Sequence, residues 1–204
     1  MKKVQDHYFR QAKREGFAAR SAFKLEEIDK RQRLLRTGMH VLDLGCAPGS
    51  WLQYAAERVG PSGRVLGIDL QPVTIALPGH VRAMQGDAFN TPPEALLADG
   101  RSFDVVVSDM APKTTGIPSA DAARSAELVL RALAVAQGVL KPGGTLLAKV
   151  FQGSRTVELR TAFAQSFDKV SIEKPKASRS ESVEVFLLGQ GFRPASASPQ
   201  EGRP

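Results

Sequence analysis

The sequence predicts an α/β fold with a seven-stranded, mainly parallel sheet that carries helices on both faces. Seven short apolar runs alternate with amphipathic segments along the chain. Most of these runs are almost continuously apolar, which is typical of strands that are covered on both sides. A glycine-rich turn follows the first run, in the segment VLDLGCAPGSW at 41–51. Turns of this kind lead from a strand into a helix beside a bound small molecule.

The strand candidates are rich in β-branched and aliphatic residues. In chain order they are HVLDLG, RVLGIDL, VRAMQG, FDVVVSD, TLLAKVF, KVSIEK and VEVFLLG. Amphipathic helices are predicted at about 51–59, 93–98, 119–140 and 154–166. GPSG at 60–63 and KPGG at 141–144 are the turns expected to end two of these helices.

Length and composition indicate one domain. A chain of 204 residues with 42% hydrophobic residues can bury one substantial core but is short for two. We expect residues 1–191 to form this domain, with a basic helical segment at about 1–36. The Pro/Ser-rich tail, 192–204, should be disordered.

Cysteine and histidine usage bears on location and metals. A single cysteine and three scattered histidines predict a reducing, cytoplasmic location and no metal site. No segment has the pattern of a membrane span or a secretory signal. Nothing in the sequence indicates more than a monomer.

Positive charge is concentrated near the two ends of the chain. The net charge is +7, and residues 1–36 hold eleven lysines and arginines against five acids. A second cluster, Lys174, Lys176 and Arg179, lies in EKPKASRS. Two interpretations stay open: a solvated basic face, or a surface that follows the phosphates of a nucleic acid.

The glycine turn is unsuited to a diphosphate, because it lacks the lysine of a P-loop. Residue 47 is alanine where a dinucleotide site has glycine, and Pro48 lacks an N–H group. Both features disfavour a nicotinamide-dependent oxidoreductase. S-adenosylmethionine fits better, since its methionyl end carries an ammonium group beside a carboxylate. Gly45 and Gly49 would allow close backbone approach to it, and Asp43 could place the ammonium.

Aspartates at the next two strand ends support the same cofactor. Asp69 ends the second strand, where a carboxylate can accept hydrogen bonds from both ribose hydroxyls. Asp87 ends the third strand, within reach of an adenine amino group. Any one of these acids would be an ordinary turn residue, but three after a glycine turn favour a cofactor site. Trp51 is either a core residue or a wall of the pocket, and Cys46 is a small residue that fits the turn.

Charged residues interrupt strands that should be apolar. Lys149 lies in TLLAKVF, Glu184 in VEVFLLG, and Asp109 where FDVVVSD meets its loop. A charge in a strand covered on both faces is costly unless it is paired or opens onto a cleft. One structural ion pair would leave a third charge unexplained, so we expect the three to converge at the cofactor edge of the sheet. Lys24, on the basic helix, is a fourth candidate.

Five separated segments resemble the RrmJ/FtsJ family of RNA ribose 2′-O-methyltransferases. They are GFAARSAFKL, VLDLGCAPGSW, SDMAPKTTG, LLAKVFQG and SRSESVEVFLLG. The likeness covers about residues 4 to 190. It implies a Rossmann-like class I methyltransferase fold, S-adenosylmethionine as cofactor and RNA as partner, without DNA or membrane. Within the family, the likeness is greatest to members that methylate a uridine ribose of 23S rRNA in the large ribosomal subunit.

The resemblance also implies site residues. The catalytic set falls at Lys24, Asp109, Lys149 and Glu184. The implied cofactor contacts fall at Gly49, Trp51, Asp69, Asp87 and Asp109. The chain departs from the family pattern at Phe23, where tyrosine is usual, and at Lys113, where asparagine is frequent.

The implied reaction is an in-line methyl transfer from a sulfonium to a ribose 2′-hydroxyl, a group that DNA lacks. Lys149 either removes the hydroxyl proton or stabilises the oxyanion while a carboxylate or water takes the proton. The N-terminal helix and the EKPKASRS loop would flank the pocket mouth and hold the RNA. Two alternatives stay open: a tRNA ribose methyltransferase of the same family, and a non-catalytic RNA-binding factor for ribosome assembly.

Overall fold

A computed structural model describes residues 2–97, 100–153, 155–178 and 182–194. The strands are β1 His40–Leu44, β2 Arg64–Asp69, β3 Val81–Gln85, β4 Phe103–Ser108, β5 Leu140–Phe151, β6 Phe167–Glu173 and β7 Glu184–Phe192. The helices are α1 Lys2–Glu15, α2 Ala22–Gln32, α3 Ser50–Val59, α4 Pro93–Leu96, α5 Pro118–Val139 and α6 Thr156–Ser166. All seven predicted strands are confirmed.

The strands form one sheet in the order β3-β2-β1-β4-β5-β7-β6. Strands β1 to β5 are parallel, whereas β7 runs antiparallel between β5 and β6. The order reverses between β1 and β4, because the chain fills one half of the sheet and then returns to start the other. Ligands of such sheets bind outside the carboxyl ends of the strands at this point.

Helices cover both faces of the sheet and give two apolar cores. On one face, α5 and α6 bury side chains such as Val129 and Phe163. On the other face, α2 and α3 bury Leu25, Ile28 and Leu52. Strands between two such layers have no wet face, which explains their nearly continuous apolar sequences.

A buried carboxylate fastens α2 to α3. Asp29 is 1% exposed. Its oxygens accept hydrogen bonds from the Leu35 N–H at 2.8 Å, the Tyr54 hydroxyl at 2.8 Å and Arg58 Nε at 2.9 Å. This network holds α2, which carries Lys24, against the helix that follows the glycine turn.

The N-terminal basic segment is two helices and not one. Helix α2 ends at Gln32, because Arg33 adopts a left-handed φ of 54°. The first helix, α1, packs through Tyr8 and Ala12 against Phe23 and Ala177. Phe23 therefore lies in an apolar cluster, where it has a structural role without the hydroxyl of a tyrosine.

Two chain boundaries differ from the prediction. Helix α5 ends at Val139 as expected, but the KPGG residues 141–144 belong to β5, where they bulge out between two registers with β4. At the other end, β7 extends to the buried Phe192, one residue past the predicted domain end at 191. Residues 195–204 of the predicted tail lie outside the described residues. Among the described helices, none has the length and apolarity that a membrane crossing needs.

Candidate active site

A cleft opens at the carboxyl ends of β1 to β4, where the strand order reverses. Its volume of about 460 Å³ lies within the range of ligand pockets in proteins. The end of each strand contributes to the lining, through Gly45, Asp69, Asp87 and Asp109. The structure therefore brings together four residues that the sequence predicted at a cofactor site.

The carboxylates of Asp69 and Asp87 are fixed in place by backbone and loop groups. Asp69 Oδ2 accepts a hydrogen bond from the Ala47 N–H at 3.0 Å, which ties the end of β2 to the glycine turn. Asp87 accepts hydrogen bonds from the Phe89 N–H at 2.8 Å and from Asn90 Nδ2 at 2.7 Å. Each carboxylate oxygen has a second lone pair, so both groups can also accept hydrogen bonds from a ligand.

Both glycines of the turn are required by close packing inside the protein. Gly45 has a φ of 80°, and a Cβ atom there would lie 2.7 Å from Met110 Cγ. Gly49 has a φ of 115°, and a Cβ atom there would lie 2.6 Å from Ile75 Cδ1. The neighbouring loops of the protein therefore close on the turn. The cofactor contacts expected at Gly45 and Gly49 stay predictions, and Gly45 also lines the cleft.

Cys46 is a packing residue. Its side chain is buried against β2, where a Cβ atom on Gly67 would lie 2.7 Å from Sγ. Burial, followed by the charges of Asp43 and Asp69, raises the pKa of the thiol. A thiol that keeps its proton is a poor nucleophile. The interpretation of Cys46 as a small residue that fits the turn is confirmed.

Asp43, in β1, is a fully buried carboxylate behind the cleft lining. Its exposure is 0%, and neither oxygen accepts a hydrogen bond from the described part of the chain. Burial, followed by the charges of Asp109 and Asp69, raises its pKa well above the usual value. A buried carboxylate without donors is costly in its charged form, so this position suits a cationic ligand group.

We expect Asp43→Asn to raise the melting temperature of the cofactor-free chain at pH 8 by about 2–4 °C, which is about 1 kcal/mol at this size. The folded-state pKa of Asp43 is raised, so the folded chain binds more protons than the unfolded chain. Stability therefore falls as the pH rises toward that pKa, and the gain from Asn should shrink between pH 8 and pH 5. Calorimetry at both pH values measures it.

The matched control for this prediction is Asp168→Asn. Asp168 is also an aspartate in a strand, but its side chain is 66% exposed. It should change the melting temperature little at either pH. A gain for Asp43→Asn that is equal at pH 5 and pH 8 would contradict the ionisation argument.

The indole of Trp51 lies in the core. The side chain is 2% exposed, its ring centroid is 5.8 Å from that of Phe186, and Nε1–H donates to the Ser21 carbonyl at 2.8 Å. Of the two interpretations, the core residue is therefore confirmed, and the pocket wall is wrong. A cofactor contact by Trp51 would have to use its backbone N–H in the first turn of α3, where such groups lack intrahelical partners.

Lys149, in β5, forms an ion pair with Asp109. Nζ lies 2.9 Å from Asp109 Oδ1 and donates a hydrogen bond of 2.5 Å to the carbonyl oxygen of the same residue. The Oδ1 contact is close in distance but lacks hydrogen-bond geometry, so Oδ1 has no hydrogen bond in the described residues. The Lys149 side chain is 7% exposed and that of Asp109 19%. Such a shielded pair interacts more strongly than a surface pair.

Lys24 and Glu184 form a second ion pair, at 2.6 Å between Nζ and Oε1. The Ser178 hydroxyl donates a hydrogen bond of 3.0 Å to the same oxygen. Burial alone would raise the pKa of Glu184. The charge and hydrogen bond of Lys24, the charge of Lys149 and the Ser178 hydroxyl together lower it below the usual value. Glu184 therefore stays ionised at neutral pH.

The two ion pairs lie side by side on one face of the sheet. In the antiparallel register, Lys149 pairs with Phe186, which is two residues from Glu184 in β7. Lys149 and Glu184 are thus diagonal neighbours on the face that α2 covers with Lys24. Asp109 belongs both to an ion pair and to the cleft lining. All four predicted catalytic residues meet beside the cleft.

Sequence reasoning missed two residues that hold the catalytic candidates, Ser178 and Asp29. Ser178 lies in EKPKASRS, where no local pattern distinguishes it from an ordinary loop serine. Asp29 looks like any acid on a solvated helix, and its burial depends on contacts with α3 that no local pattern shows. Lys174 and Lys176 of the second basic cluster are exposed, and Arg179 lies outside the described residues.

Comparison with known proteins agrees with this geometry. The model of the FtsJ-like methyltransferase family matches residues 17–192. A relative from Nitratidesulfovibrio vulgaris (strain DP4), named Ribosomal RNA large subunit methyltransferase E, is 50% identical over 200 residues. These residues are 97% of this chain and 98% of the relative.

Solved structures share the fold. A ribosomal RNA methyltransferase from Plasmodium falciparum has a TM-score of 0.75 and 29% identity, over 86% of this chain and 98% of that one. Fibrillarin from Aeropyrum pernix, with natively bound S-adenosyl-L-methionine, has a TM-score of 0.56 and 17% identity, over 76% and 68%. Its likeness bears on the fold alone, and the predicted Rossmann-like class I methyltransferase fold is confirmed. Since the family model covers most of its length, the chain belongs to the FtsJ-like methyltransferase family.

Proposed function

We propose that this chain acts in the cytoplasm as a monomer and methylates the 2′-hydroxyl of a uridine ribose in 23S rRNA of the large ribosomal subunit. Its family makes it an RNA methyltransferase that uses S-adenosylmethionine. The observation that best supports the proposal is the meeting of two shielded lysine–carboxylate pairs beside a cofactor-sized cleft. The relative named for large-subunit rRNA favours this substrate over tRNA.

Lys149 is the residue that we assign to the ribose oxygen. The donor supplies an activated methyl group on a sulfonium, so the chain has to align the hydroxyl and manage its proton. Lys149 donates one hydrogen bond to the Asp109 carbonyl oxygen and lies beside its carboxylate, which leaves further N–H donors for the ribose oxygen. A shielded ammonium there stabilises the negative charge that develops as the hydroxyl proton passes to water.

Lys24 and Glu184 form the second ion pair of the site, and we assign it a supporting role at the ribose oxygen. Because Glu184 stays ionised, it acts as a counter-ion and not as the base. Glu184 Oε1 lies 2.6 Å from Lys24 Nζ and holds that ammonium in place. The Ser178 hydroxyl in turn donates a hydrogen bond to Glu184 and fixes the carboxylate. Lys24 then adds a second positive charge near the ribose or its adjacent phosphate.

The cofactor would be held by residues at successive strand ends. Asp69 would accept hydrogen bonds from ribose hydroxyls, Asp87 would accept one from the adenine amino group, and Asp43 would offset the charge of the ammonium. The N-terminus of α3, which begins after Gly49 and includes the Trp51 N–H, suits the carboxylate of the methionyl end. The unpartnered oxygens of Asp43 and the cleft volume support this assignment.

The RNA surface beside the active site consists, in this proposal, of α1 and the loop 174–178. Contacts of α1 with Phe23 and Ala177 support it, because Phe23 precedes Lys24 and Ala177 precedes Ser178 in the chain. Lys174 and Lys176 are exposed in the same loop. Cations in this position would attract RNA phosphates in a salt-dependent manner.

Labelled S-adenosylmethionine tests the proposal when it is supplied with protein-free 23S rRNA, large ribosomal subunits and tRNA in parallel. We expect label in 23S rRNA, in free or assembled form, at a single uridine ribose. Mapping by alkaline resistance of the 2′-O-methylated position identifies the site. Label in tRNA alone would favour the tRNA enzyme, and cofactor binding without label in any RNA would favour the assembly factor.

A further inference from the structure

We propose that a second basic surface, at the edge of the sheet opposite the active site, binds the phosphate backbone of a separate segment of the same rRNA. This rear basic surface consists of Arg33, Arg36, Arg82, Arg101 and Lys141. The inference rests on the proposed function only in the choice of rRNA as the ligand. It makes the chain a protein that contacts its RNA at two edges.

Two adjoining clefts form the rear basic surface at the amino ends of the strands. One contains Arg82 and Arg101, and the other contains Arg33, Arg36 and Lys141. The active site lies at the carboxyl ends of the same strands. Strand β1 has five residues, so the two edges are about 16 Å apart. The basic N-terminal segment is therefore divided, with Lys24 at the active edge and Arg33 and Arg36 at the rear.

A short hydrogen-bond chain makes the two clefts continuous. The backbone N–H of His40, which lines the first cleft, donates to Asp104 Oδ2 at 2.7 Å. Lys141 Nζ donates to Asp104 Oδ1 at 2.8 Å, and both residues line the second cleft. The arginines of both clefts therefore belong to one surface.

Among the described residues, positive charge on this surface exceeds negative charge. Asp104 is the one acidic residue that lines either cleft within the described ranges, and Lys141 already pairs with it. The exposed side chains of Arg36, Arg82 and Arg101 form no ion pair with any described carboxylate. Such a surface attracts polyanions and loses affinity as salt rises.

The titration of His40 is consistent with a positive field at this edge. Burial, followed by the charge of Lys141, lowers the pKa of His40, and the charges of Arg101 and Arg64 add to the effect. Asp104 opposes it and is outweighed. Burial is the largest cause of the lowered pKa, and the neighbouring cations outnumber the one acid that opposes them.

A phosphate backbone fits this surface better than a single small anion. The arginines are spread over two clefts and do not converge on one point. Guanidinium groups take phosphate oxygens in bidentate fashion. A row of them suits successive phosphates of a folded RNA segment, which is available in 23S rRNA and absent from a short oligonucleotide.

Salt titrations of RNA binding test the proposal with Arg36→Gln and Arg82→Gln, one from each cleft. The probes are protein-free 23S rRNA and large ribosomal subunits. Each substitution should lower the slope of log affinity against log salt by about 1 and weaken binding about fivefold at low salt, on both probes. Melting temperature and S-adenosylhomocysteine affinity should match those of the wild type.

The matched control is Arg160→Gln, an exposed arginine on α6 that lines neither cleft. It removes the same charge and should leave the slope unchanged. Slopes for Arg36→Gln and Arg82→Gln that equal the control would overturn the proposal. A loss seen only on assembled subunits would overturn it too, since the partner would then be a ribosomal protein. Because these measurements report binding and not methylation, they test the rear basic surface even if the wild-type chain methylates another RNA.

Discussion

Replacing Lys149 with alanine is expected to lower kcat for rRNA methylation by about 10³-fold, with cofactor affinity close to that of the wild type. The substitution removes the ammonium that we assign to the ribose oxygen and leaves the cleft lining, to which Lys149 does not belong, in place. Loss of one preorganised donor at a developing oxyanion costs about this much in other enzymes. Asp109 loses its partner but is 19% exposed, so water can reach it and the melting temperature should fall by no more than about 4 °C.

Two further lysine variants make the Lys149 result specific. Lys30→Ala also breaks a lysine–carboxylate pair, with Glu26 at 2.6 Å, but on the exposed side of α2, and it should leave kcat unchanged. Lys149→Arg keeps the positive charge, but the guanidinium does not release its proton. We therefore expect partial activity if residue 149 acts electrostatically and no activity if it acts as the base. Loss of cofactor binding or unfolding of Lys149→Ala would indicate a structural role instead.

Asp69→Ala should raise the Kd for S-adenosylmethionine and S-adenosylhomocysteine about 100-fold, or about 2.8 kcal/mol. The carboxylate is expected to accept hydrogen bonds from ribose hydroxyls, and hydrogen bonds to a charged acceptor contribute about 1.5–3 kcal/mol each. Asp69 also holds the Ala47 N–H of the glycine turn at 3.0 Å, so the turn loses a support. Calorimetric titration measures both ligands, and kcat at saturating cofactor should recover.

Asp168→Ala is the matched control for Asp69→Ala, because it also removes an aspartate from a strand. Asp168 lies in β6 and pairs with Arg193 at 3.4 Å, away from the cleft lining. It should leave both dissociation constants unchanged. An unaltered affinity of Asp69→Ala for S-adenosylhomocysteine would show that the cofactor does not use this edge of the cleft.

The sheet and its helices were predictable because their signals are local. Apolar strands, turn glycines and amphipathic helices follow from short-range periodicity, and a parallel sheet is the arrangement that buries such strands. The grouping of the four charged residues was predictable for a related reason. Lys149 and Glu184 are costly in buried strands, so their presence predicted that they are paired at the edge where Asp109 follows β4.

Features that depend on distant contacts were not predictable. The indole of Trp51 points into the core because Phe186, far along the chain, meets it there. Gly49 is crowded by Ile75, which comes from a loop without a sequence signal. By charge alone, residues 1–36 form one basic cluster. In the structure, the left-handed φ of Arg33 turns the chain, so that Arg33 and Arg36 lie on the rear basic surface.

The aromatic cluster under α1 has a mechanical consequence. Tyr8 and Phe17 both contact the ring of Phe23, at 5.7 and 5.8 Å, and Ala177 completes the cluster. The neighbours of Phe23 and Ala177 in the chain are Lys24 and Ser178, the two groups that hold Glu184. We therefore expect a displacement of α1 to be transmitted through this packing to Lys24, the amine that we propose to lie near the ribose.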